Sequence, residues 1–284
     1  MPHTALILHY SRSQNTAKLA KIAEAAIAAC NWQVIRMPLA KAAADFPAID
    51  PSLIVLGTPV QYWTVPAAAM ELIEKLPEIN DAFAFVYSCY GGCVANNVPF
   101  TLAKKMMAKG ATVIGGAQFL TPHSCQIDGG RRMGETEKAF GKGHPTEDAL
   151  DEFTDALKKT VRAIESRTAQ SINPNRLKIN TMGVISSVMD GVSPLKMKRA
   201  FMPPVSVDQI ACEGCGACAS VCDTGSITLD ESGVACIDQK TCYRCYGCIE
   251  ACPTSALTTN WKQAEWLVRY MQWLATDAGS TIVL

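Results

Sequence analysis

The stretch CEGCGACASVC, residues 212–222, is matched in spacing thirty residues later by CYRCYGCIEAC, residues 242–252. Both stretches read C-x2-C-x2-C-x3-C, and together they contain eight of the thirteen cysteines of the chain. Pro253 follows the second stretch, whereas Asp223 stands at the equivalent position after the first. The chain therefore carries two matched sets of four thiols, as expected of a repeated set of ligands.

This spacing is the ligand pattern of bacterial two-cluster ferredoxins, in which each run gives three thiolates to one [4Fe–4S] cluster and its fourth to the other. The predicted ligand sets therefore cross between the runs: Cys212, Cys215, Cys218 and Cys252 for one cluster, and Cys242, Cys245, Cys248 and Cys222 for the other. A structural zinc site uses four ligands in two pairs, and disulfide frameworks belong to small secreted domains. The pattern predicts a protein that moves electrons.

The composition argues against several classes of function. The 284 residues include 26 basic and 26 acidic side chains, so the zero net charge gives no field that favours nucleic acid or a membrane surface. The N-terminus lacks a basic segment of the kind that opens a signal peptide, and no apolar run approaches the roughly 20 residues of a transmembrane helix. Because so many thiols are unpaired, we expect the protein in the reducing cytoplasm.

The charge is nevertheless unevenly distributed along the chain. Residues 204–258 carry seven acidic and two basic side chains, whereas residues 171–203 carry five basic and one acidic. Neutralisation of one segment by the other is the favoured interpretation. A surface that steers a redox partner is the alternative.

Residues 1–170 alternate between short apolar runs and longer amphipathic segments. The predicted strands are Ala5–Tyr10, Gln33–Met37, Leu53–Leu56, Ala82–Tyr87 and Ala111–Phe119. The predicted helices are Gln14–Cys30, Pro66–Leu76, Asn97–Lys109 and Pro145–Arg167. Such alternation is typical of a parallel sheet covered on both faces. We predict an α/β fold with a doubly wound parallel sheet, followed by a small α+β domain that contains the cysteine runs.

The domain boundaries follow from changes in this pattern. The predicted units are an α/β domain at 1–170, a basic linker at 171–203, a cysteine-rich domain at 204–258, and a C-terminal helix and tail at 259–284. Ser226–Asp230 and Gly233–Ile237 predict a hairpin between the two runs. Residues 121–144, rich in Gly and Arg, predict a long loop, and Trp261–Leu274 predict a helix.

The first predicted strand runs directly into a hydroxyl- and amide-rich loop, Ser11-Arg12-Ser13-Gln14-Asn15-Thr16. Hydroxyls and free N–H groups at a helix N-terminus form an anion site, although such a loop by itself is also a good N-cap. Ligands bind at this strand end in doubly wound sheets, which favours a phosphate. The loop has no P-loop lysine and no G-x-G-x-x-G motif follows a strand, so nucleotide hydrolysis and NAD binding lose support.

Two further strand ends carry aromatic and glycine residues. They are Gly57-Thr58-Pro59-Val60-Gln61-Tyr62-Trp63 and Ser88-Cys89-Tyr90-Gly91-Gly92-Cys93. An aromatic side chain can flank a planar ring, and glycine lets the backbone approach that ring. A phosphate loop and two aromatic loops on one edge of the sheet predict a site for flavin mononucleotide (FMN).

Residues 1–170 resemble a flavodoxin domain, whose Tyr-Ser-Arg-Ser-Gly-Asn-Thr type loop is matched by Tyr10–Thr16 except at Gln14. With the cysteine runs, nearly the whole chain resembles the flavodoxin–ferredoxin fusion proteins of the EFR1 family of ferredoxins. The resemblance implies that the FMN phosphate is held by Ser11, Ser13, Asn15 and Thr16. It also implies that Trp63 and Tyr90 lie near the ring. The complete predicted flavin site is Ser11, Ser13, Gln14, Asn15, Thr16, Gly57, Thr58, Pro59, Trp63, Ser88, Tyr90, Gly91 and Gly92.

Four positions depart from the patterns of these families or add to them. Gln14 replaces a Gly, and if the position needs a positive φ, Gln costs roughly 1 kcal/mol and weakens FMN binding. Asp223 replaces a Pro, and its carboxylate is expected to lower the potential of the cluster bound by Cys222. Cys89 and Cys93 flank an aromatic loop, where packing residues are the favoured interpretation and redox thiols the alternative.

The leading functional hypothesis is an electron carrier that connects one- and two-electron partners, with redox proteins as donor and acceptor. One alternative is an FMN-dependent reductase of a small substrate, with a lid that carries His123, Arg131, Arg132 and His144. Another is a ferredoxin tethered to a flavodoxin-like scaffold that has lost FMN because of Gln14. Both a monomer and a homodimer agree with these hypotheses.

Overall fold

The computed structural model describes residues 3–91, 95–122, 126–127, 131–132, 141–178, 202–260, 262 and 279–284. The first domain consists of β1 (Thr4–His9), α1 (Asn15–Ala28), β2 (Gln33–Pro38), α2 (Leu39–Ala44), β3 (Leu53–Pro59), α3 (Ala67–Lys75), β4 (Phe83–Tyr90), α4 (Val98–Ala108), β5 (Thr112–Leu120), β6 (Gln126–Ile127), β7 (Arg131–Arg132) and α5 (Glu147–Glu165). The predicted strands and helices are present within three residues of their predicted ends. No helix in these ranges is long and apolar enough to cross a membrane.

Strands β1 to β5 form one sheet with the C-terminal strand β12 (Thr281–Val283), in the order β12-β5-β4-β3-β1-β2, and β6 pairs separately with β7. The five strands β1 to β5 run parallel to one another. A parallel order 2-1-3-4-5, with its switch point between β1 and β3, is that of the flavodoxin-like doubly wound fold. The predicted fold class is confirmed.

The sheet buries an apolar cluster on each face, because its strands are apolar on both sides. On one face, Leu8 and Leu56 pack against helices α2, α3 and α4. On the other face, Ile7 and Phe85 pack against α1 and α5. All four side chains are fully buried, and burial of each contributes roughly 1.5–3 kcal/mol. The loops of the predicted flavin site follow the carboxyl ends of β1, β3 and β4.

The sheet also includes a strand from the C-terminal segment, β12 (Thr281–Val283), which pairs antiparallel with Gly116–Gln118 of β5. The predicted helix and tail at residues 259–284 do not include this strand. The predicted helix 261–274 lies outside the described residues except for Lys262. The predicted linker also packs in part on the sheet, since Leu177, in the 3-10 helix Pro174–Leu177, is fully buried there.

The second domain repeats one small unit twice. Its elements are β8 (Val205–Val207), α6 (Ala217–Ser220), β9 (Ile227–Leu229), β10 (Ala235–Ile237), α7 (Gly247–Ala251) and β11 (Leu257–Thr259). β9 and β10 form the predicted hairpin, and β8 pairs antiparallel with β11. A small core that includes Val205, Ile227 and Leu257 holds the two halves together.

Candidate functional site

Each cysteine run forms a loop that leads into a short helix. The third cysteine of each run, Cys218 or Cys248, lies in α6 or α7 and is buried. The residue that precedes each helix, Gly216 or Tyr246, has a positive φ, of 72° or 61° respectively. The two runs therefore share a backbone path as well as a spacing.

The fourth cysteine of each run lies with the other run. Electrostatic interactions between thiols connect two groups, Cys212, Cys218 and Cys252 in one, and Cys222, Cys242, Cys245 and Cys248 in the other. Cys248 also interacts with Cys218, so the two groups are neighbours. Burial, and then the adjacent thiols, raise the pKa of Cys248 to about 12. A cluster held by these buried thiols would therefore have to displace their protons on binding.

The chemistry of these thiol groups fits a cluster better than a single ion. In the described parts of the chain, no three His, Cys, Asp or Glu side chains are grouped as ligands of one metal ion. A cubane cluster needs a wider arrangement, because each thiolate binds its own iron. Cys222 Sγ lies 3.4 Å from Thr224 Oγ1, and Cys252 Sγ lies 3.6 Å from Thr254 Oγ1. Hydrogen bonds to sulfur tune cluster potentials, and both runs provide the same one.

Residues 11–16 form the loop between β1 and α1. Gln14, at the N-cap of α1, has a φ of 61°, so this position does take the left-handed conformation that favours glycine. Ser11 Oγ accepts a hydrogen bond from the Ala17 N–H at 3.2 Å, and Asn15 Nδ2 donates to the Pro122 carbonyl at 3.1 Å. Among the described residues, the amide N–H groups of 13–16 have no hydrogen-bond partner. Four free amides at the start of a helix fit a phosphate group.

The buried side chain of Tyr87 packs beneath the loop 11–16 and is hydrogen-bonded to it. Tyr87 Oη donates to the Thr16 carbonyl at 2.9 Å. A Cβ on Gly57 would overlap the Tyr87 ring, so packing alone requires glycine there. Burial raises the pKa of the Cys89 thiol, which is hydrogen-bonded to Thr16, to about 12. A protonated, buried Cys89 agrees with its interpretation as a packing residue; Cys93 lies outside the described residues.

A row of polar side chains crosses the carboxyl end of the sheet. Thr58, Ser88 and Gln118 are direct neighbours in β3, β4 and β5, and all three are fully buried. Within the described ranges, Thr58 Oγ1, Ser88 Oγ and both polar atoms of the Gln118 amide have no hydrogen-bond partner. Thr58 and Ser88 belong to the predicted flavin site, and Pro59 ends β3 beside them. Gln118 is not among the predicted site residues, although a polar residue inside an apolar run is a signal that could have identified it.

The Val60 N–H donates to the Cys89 carbonyl at 2.7 Å, so the two aromatic loops contact each other, but their aromatic side chains have different surroundings. Asn96 Nδ2 donates to the Trp63 carbonyl at 2.9 Å, and Trp63 is half-buried with a φ of 64°. Tyr90 is almost fully buried, and its hydroxyl donates to the Gly279 carbonyl at 2.6 Å. The structure thus ties Tyr90 to the C-terminal segment. Its predicted proximity to a flavin ring stays a prediction.

A contact between the two domains involves Tyr10, Arg12, Tyr62, Asp223 and Arg244, which we name the interdomain contact. Arg12 Nη2 lies 2.8 Å from Asp223 Oδ2, and the Tyr10 hydroxyl donates to the same oxygen. Tyr62 Oη donates to the Arg244 carbonyl at 2.9 Å. From the sequence, Asp223 is identified only as a replacement of Pro, and its partners in the first domain are not predicted.

The structure describes some residues of the predicted lid and not others. Arg131 and Arg132 form β7, which pairs antiparallel with β6, so the segment predicted as a loop contains a short ribbon. The His144 N–H donates to the Gly141 carbonyl at 3.0 Å. His123 and Gly92 lie outside the described residues, while Gly91 is the last described residue of its loop. The lid role stays a prediction.

The second domain is similar to a known family. Residues 211–256 match the family model of the 4Fe–4S dicluster domain. The match contains both cysteine runs and the hairpin between them. No curated protein matches the chain significantly. The chain is thus a flavodoxin-like domain joined to a small ferredoxin-type domain that matches the 4Fe–4S dicluster model.

Several solved structures resemble the first domain. A flavodoxin from the domain Archaea shares 16% identity over 57% of this chain and 99% of its own, with a TM-score of 0.42. The flavodoxin of Megasphaera elsdenii shares 20% identity over 55% of this chain and 98% of its own, with a TM-score of 0.38. Rubredoxin oxygen:oxidoreductase of Desulfovibrio gigas shares 12% identity over 58% of this chain and 37% of its own, with a TM-score of 0.45. At this level of similarity the strand order, not the comparison, carries the fold assignment.

Proposed function

We propose that this protein is an electron-transfer iron–sulfur flavoprotein that passes electrons between two [4Fe–4S] clusters, FMN and redox partner proteins. One observation carries the proposal. The second domain, with its two crossed groups of thiols, contacts the loops after β1 and β3 of a flavodoxin-like sheet. Membership of the EFR1 family of ferredoxins and a cytoplasmic location are parts of the same proposal.

The residues of the second domain would hold the clusters as two crossed sets. The proposed ligands are Cys212, Cys215, Cys218 and Cys252, and Cys242, Cys245, Cys248 and Cys222. Such clusters supply one-electron steps, and FMN supplies one- or two-electron steps. The chain contributes burial of Cys218 and Cys248 and the hydroxyls of Thr224 and Thr254 beside the sulfurs.

The residues of the first domain would hold FMN at the carboxyl edge of its sheet. The free amides of residues 13–16 and the Ser13 hydroxyl would bind the phosphate, because they point from the N-terminus of α1. Arg12 is paired with Asp223 and so does not add its charge to that phosphate. Trp63 would flank the ring, and the buried hydroxyls of Thr58 and Ser88 would offer hydrogen bonds near it.

One observation favours a second candidate, a ferredoxin tethered to an FMN-free scaffold. Gln14 adopts the left-handed conformation with a Cβ, and Arg12, the basic residue of the loop 11–16, is already paired with Asp223. Both features weaken the phosphate site. No observation on the described residues favours the reductase alternative.

The deciding experiment is anaerobic purification with iron, sulfide and FMN quantified per chain, followed by stepwise reduction. Two cubane clusters require eight iron atoms, and the proposal expects eight iron and one FMN, with flavin and cluster absorbances both bleached. Eight iron without FMN, even after reconstitution, would establish the scaffold candidate. Four iron or zinc in their place would refute the crossed-cluster assignment.

A further inference from the structure

We propose that the flavin exchanges electrons with one particular cluster, and that Arg12 and Asp223 are the positioning residues that determine which one. We name it the inner cluster, and its ligands are Cys222, Cys242, Cys245 and Cys248. The outer cluster, held by Cys212, Cys215, Cys218 and Cys252, then takes electrons from the external donor. This inference rests on the proposed function, because it needs both kinds of cofactor.

The first observation is the position of Asp223, which directly follows the inner ligand Cys222. Its carboxylate binds both Arg12 and the Tyr10 hydroxyl, and Arg12 Nε also donates to Tyr10 Oη at 2.8 Å. The Arg12 and Asp223 side chains are only 14% and 32% exposed. A partly shielded ion pair with shared hydrogen bonds fixes geometry better than an exposed pair does. The phosphate loop is therefore joined to the residue beside an inner ligand.

The second observation is that the other inner ligands face the same loops. Arg12 interacts electrostatically with Cys245, and its Cβ would lie 3.9 Å from a Cβ placed on Gly247. From the loop after β3, Tyr62 donates to the carbonyl of Arg244, the residue before Cys245. The loops after β1 and β3 thus both contact the cysteine run 242–252, which supplies three inner ligands. These loops lie at the edge where ligands bind in doubly wound sheets.

The third observation is the asymmetry of an otherwise matched repeat. Because the two cysteine runs have the same spacing, the second domain could in principle present either half to the flavin loops. The residue equivalent to Asp223 in the other half is Pro253, which has no carboxylate to pair with Arg12. Asp223, the residue that breaks the repeat, therefore distinguishes the two possible orientations of the second domain. It favours the orientation in which the inner cluster faces the flavin.

The test compares Asp223→Pro with Pro253→Asp as its matched control. Holoprotein is mixed with a substoichiometric amount of reduced methyl viologen, and the bleaching of FMN is followed. Reduced viologen gives one electron to a cluster, and the cluster passes this electron to FMN. The cluster thereby returns to its oxidised form. We expect Asp223→Pro to slow the cluster-to-flavin step on the order of tenfold, because small displacements of reacting groups cost large factors in rate. Pro253→Asp should leave the rate unchanged, and Asp223→Glu should restore most of it.

Iron and FMN contents separate this inference from the proposed function. A wild-type protein that binds no FMN refutes the proposed function before any variant is compared. A wild-type protein with both cofactors, and an Asp223→Pro variant that transfers electrons equally fast, refute this inference alone. A second pair of variants gives an independent answer: Cys245→Ala, which removes an inner ligand, should slow flavin reduction more than Cys215→Ala, which removes an outer ligand. A larger loss of rate in Cys215→Ala would assign the flavin to the outer cluster.

Discussion

Gln14 combines a Cβ with a left-handed backbone at the start of α1, where φ is 61°. This conformation costs a non-glycine residue roughly 1 kcal/mol. We expect Gln14→Gly to raise the free energy of unfolding by about 1 kcal/mol in denaturant titrations, because glycine adopts the conformation without that cost. Gln14→Ala keeps the Cβ and should give no gain. An equal gain from alanine would show that the glutamine side chain, not the backbone, is the cause.

Gly57 is the opposite case, a glycine required by a neighbouring side chain. A Cβ at this position would overlap the Tyr87 ring, which is held by its hydrogen bond to the Thr16 carbonyl. We expect Gly57→Ala to lower the free energy of unfolding by about 1–3 kcal/mol, the usual range for overpacking. The measurement is denaturant unfolding of the single and double variants.

The control for Gly57→Ala is a double-mutant cycle with Tyr87→Leu, which shortens the offending side chain. If the overlap is the cause, Gly57→Ala combined with Tyr87→Leu should cost less than the sum of the two single changes. Additive costs would refute this explanation of the glycine.

Asp223 shows how far local sequence reasoning extends. The cysteine spacing identifies this residue as a departure from the ferredoxin pattern, and from that alone a lowered cluster potential is expected. That expectation stays a prediction, and the positive charge of Arg12 will reduce the effect. Tyr10 and Asp223 are 213 positions apart. Because docking between domains leaves no trace in local spacing or periodicity, the sequence could not reveal their contact.

At the scale of elements, the length of an apolar run decides whether it can be predicted. Strands β1 to β5 each contain at least six residues, and their alternation with helices makes the parallel sheet predictable. The strand β12 has three residues and follows no turn signal that the sequence analysis recognised. Its place beside β5 depends on tertiary pairing, so it could be found only in the structure.

The polar row of Thr58, Ser88 and Gln118 makes another element-scale prediction, since it joins three strands. Gln118 is fully buried, and its amide has no hydrogen-bond partner among the described residues. Replacement by an apolar side chain of similar length removes the cost of a buried unpaired amide, about 1–3 kcal/mol. We therefore expect Gln118→Met to raise the free energy of unfolding of the FMN-free protein by that amount.

The control for Gln118→Met is Gln118→Glu, which keeps the shape and adds a charge, and which should be strongly destabilising. A loss of stability in Gln118→Met would show instead that the row binds ordered water or another polar group.

At the scale of the whole molecule, the two domains differ in what holds them together. The first has apolar clusters on both faces of a six-stranded sheet, whereas the second has a small core and two-stranded sheets. A domain this small would need the proposed clusters for stability. Oxidation and chelation of the iron should therefore unfold the second domain and leave the thermal transition of the first in place, as followed by circular dichroism.

Chelator without oxidant, which leaves the clusters intact, provides the control for iron removal. Simultaneous loss of both domains would mean that the interdomain contact makes them a single cooperative unit.

The strand β12 has a consequence for how the molecule is made and held. Five strands of the sheet come from residues before the iron–sulfur domain, and the sixth, Thr281–Val283, comes after it. In the sequence, the iron–sulfur domain is thus inserted between the fifth and the last strand of the sheet. The ribosome must synthesise the whole of this domain before the last strand can pair. Two covalent tethers then keep it near the flavodoxin-like domain when the Arg12–Asp223 pair opens, so that reclosure is an intramolecular event at high effective concentration.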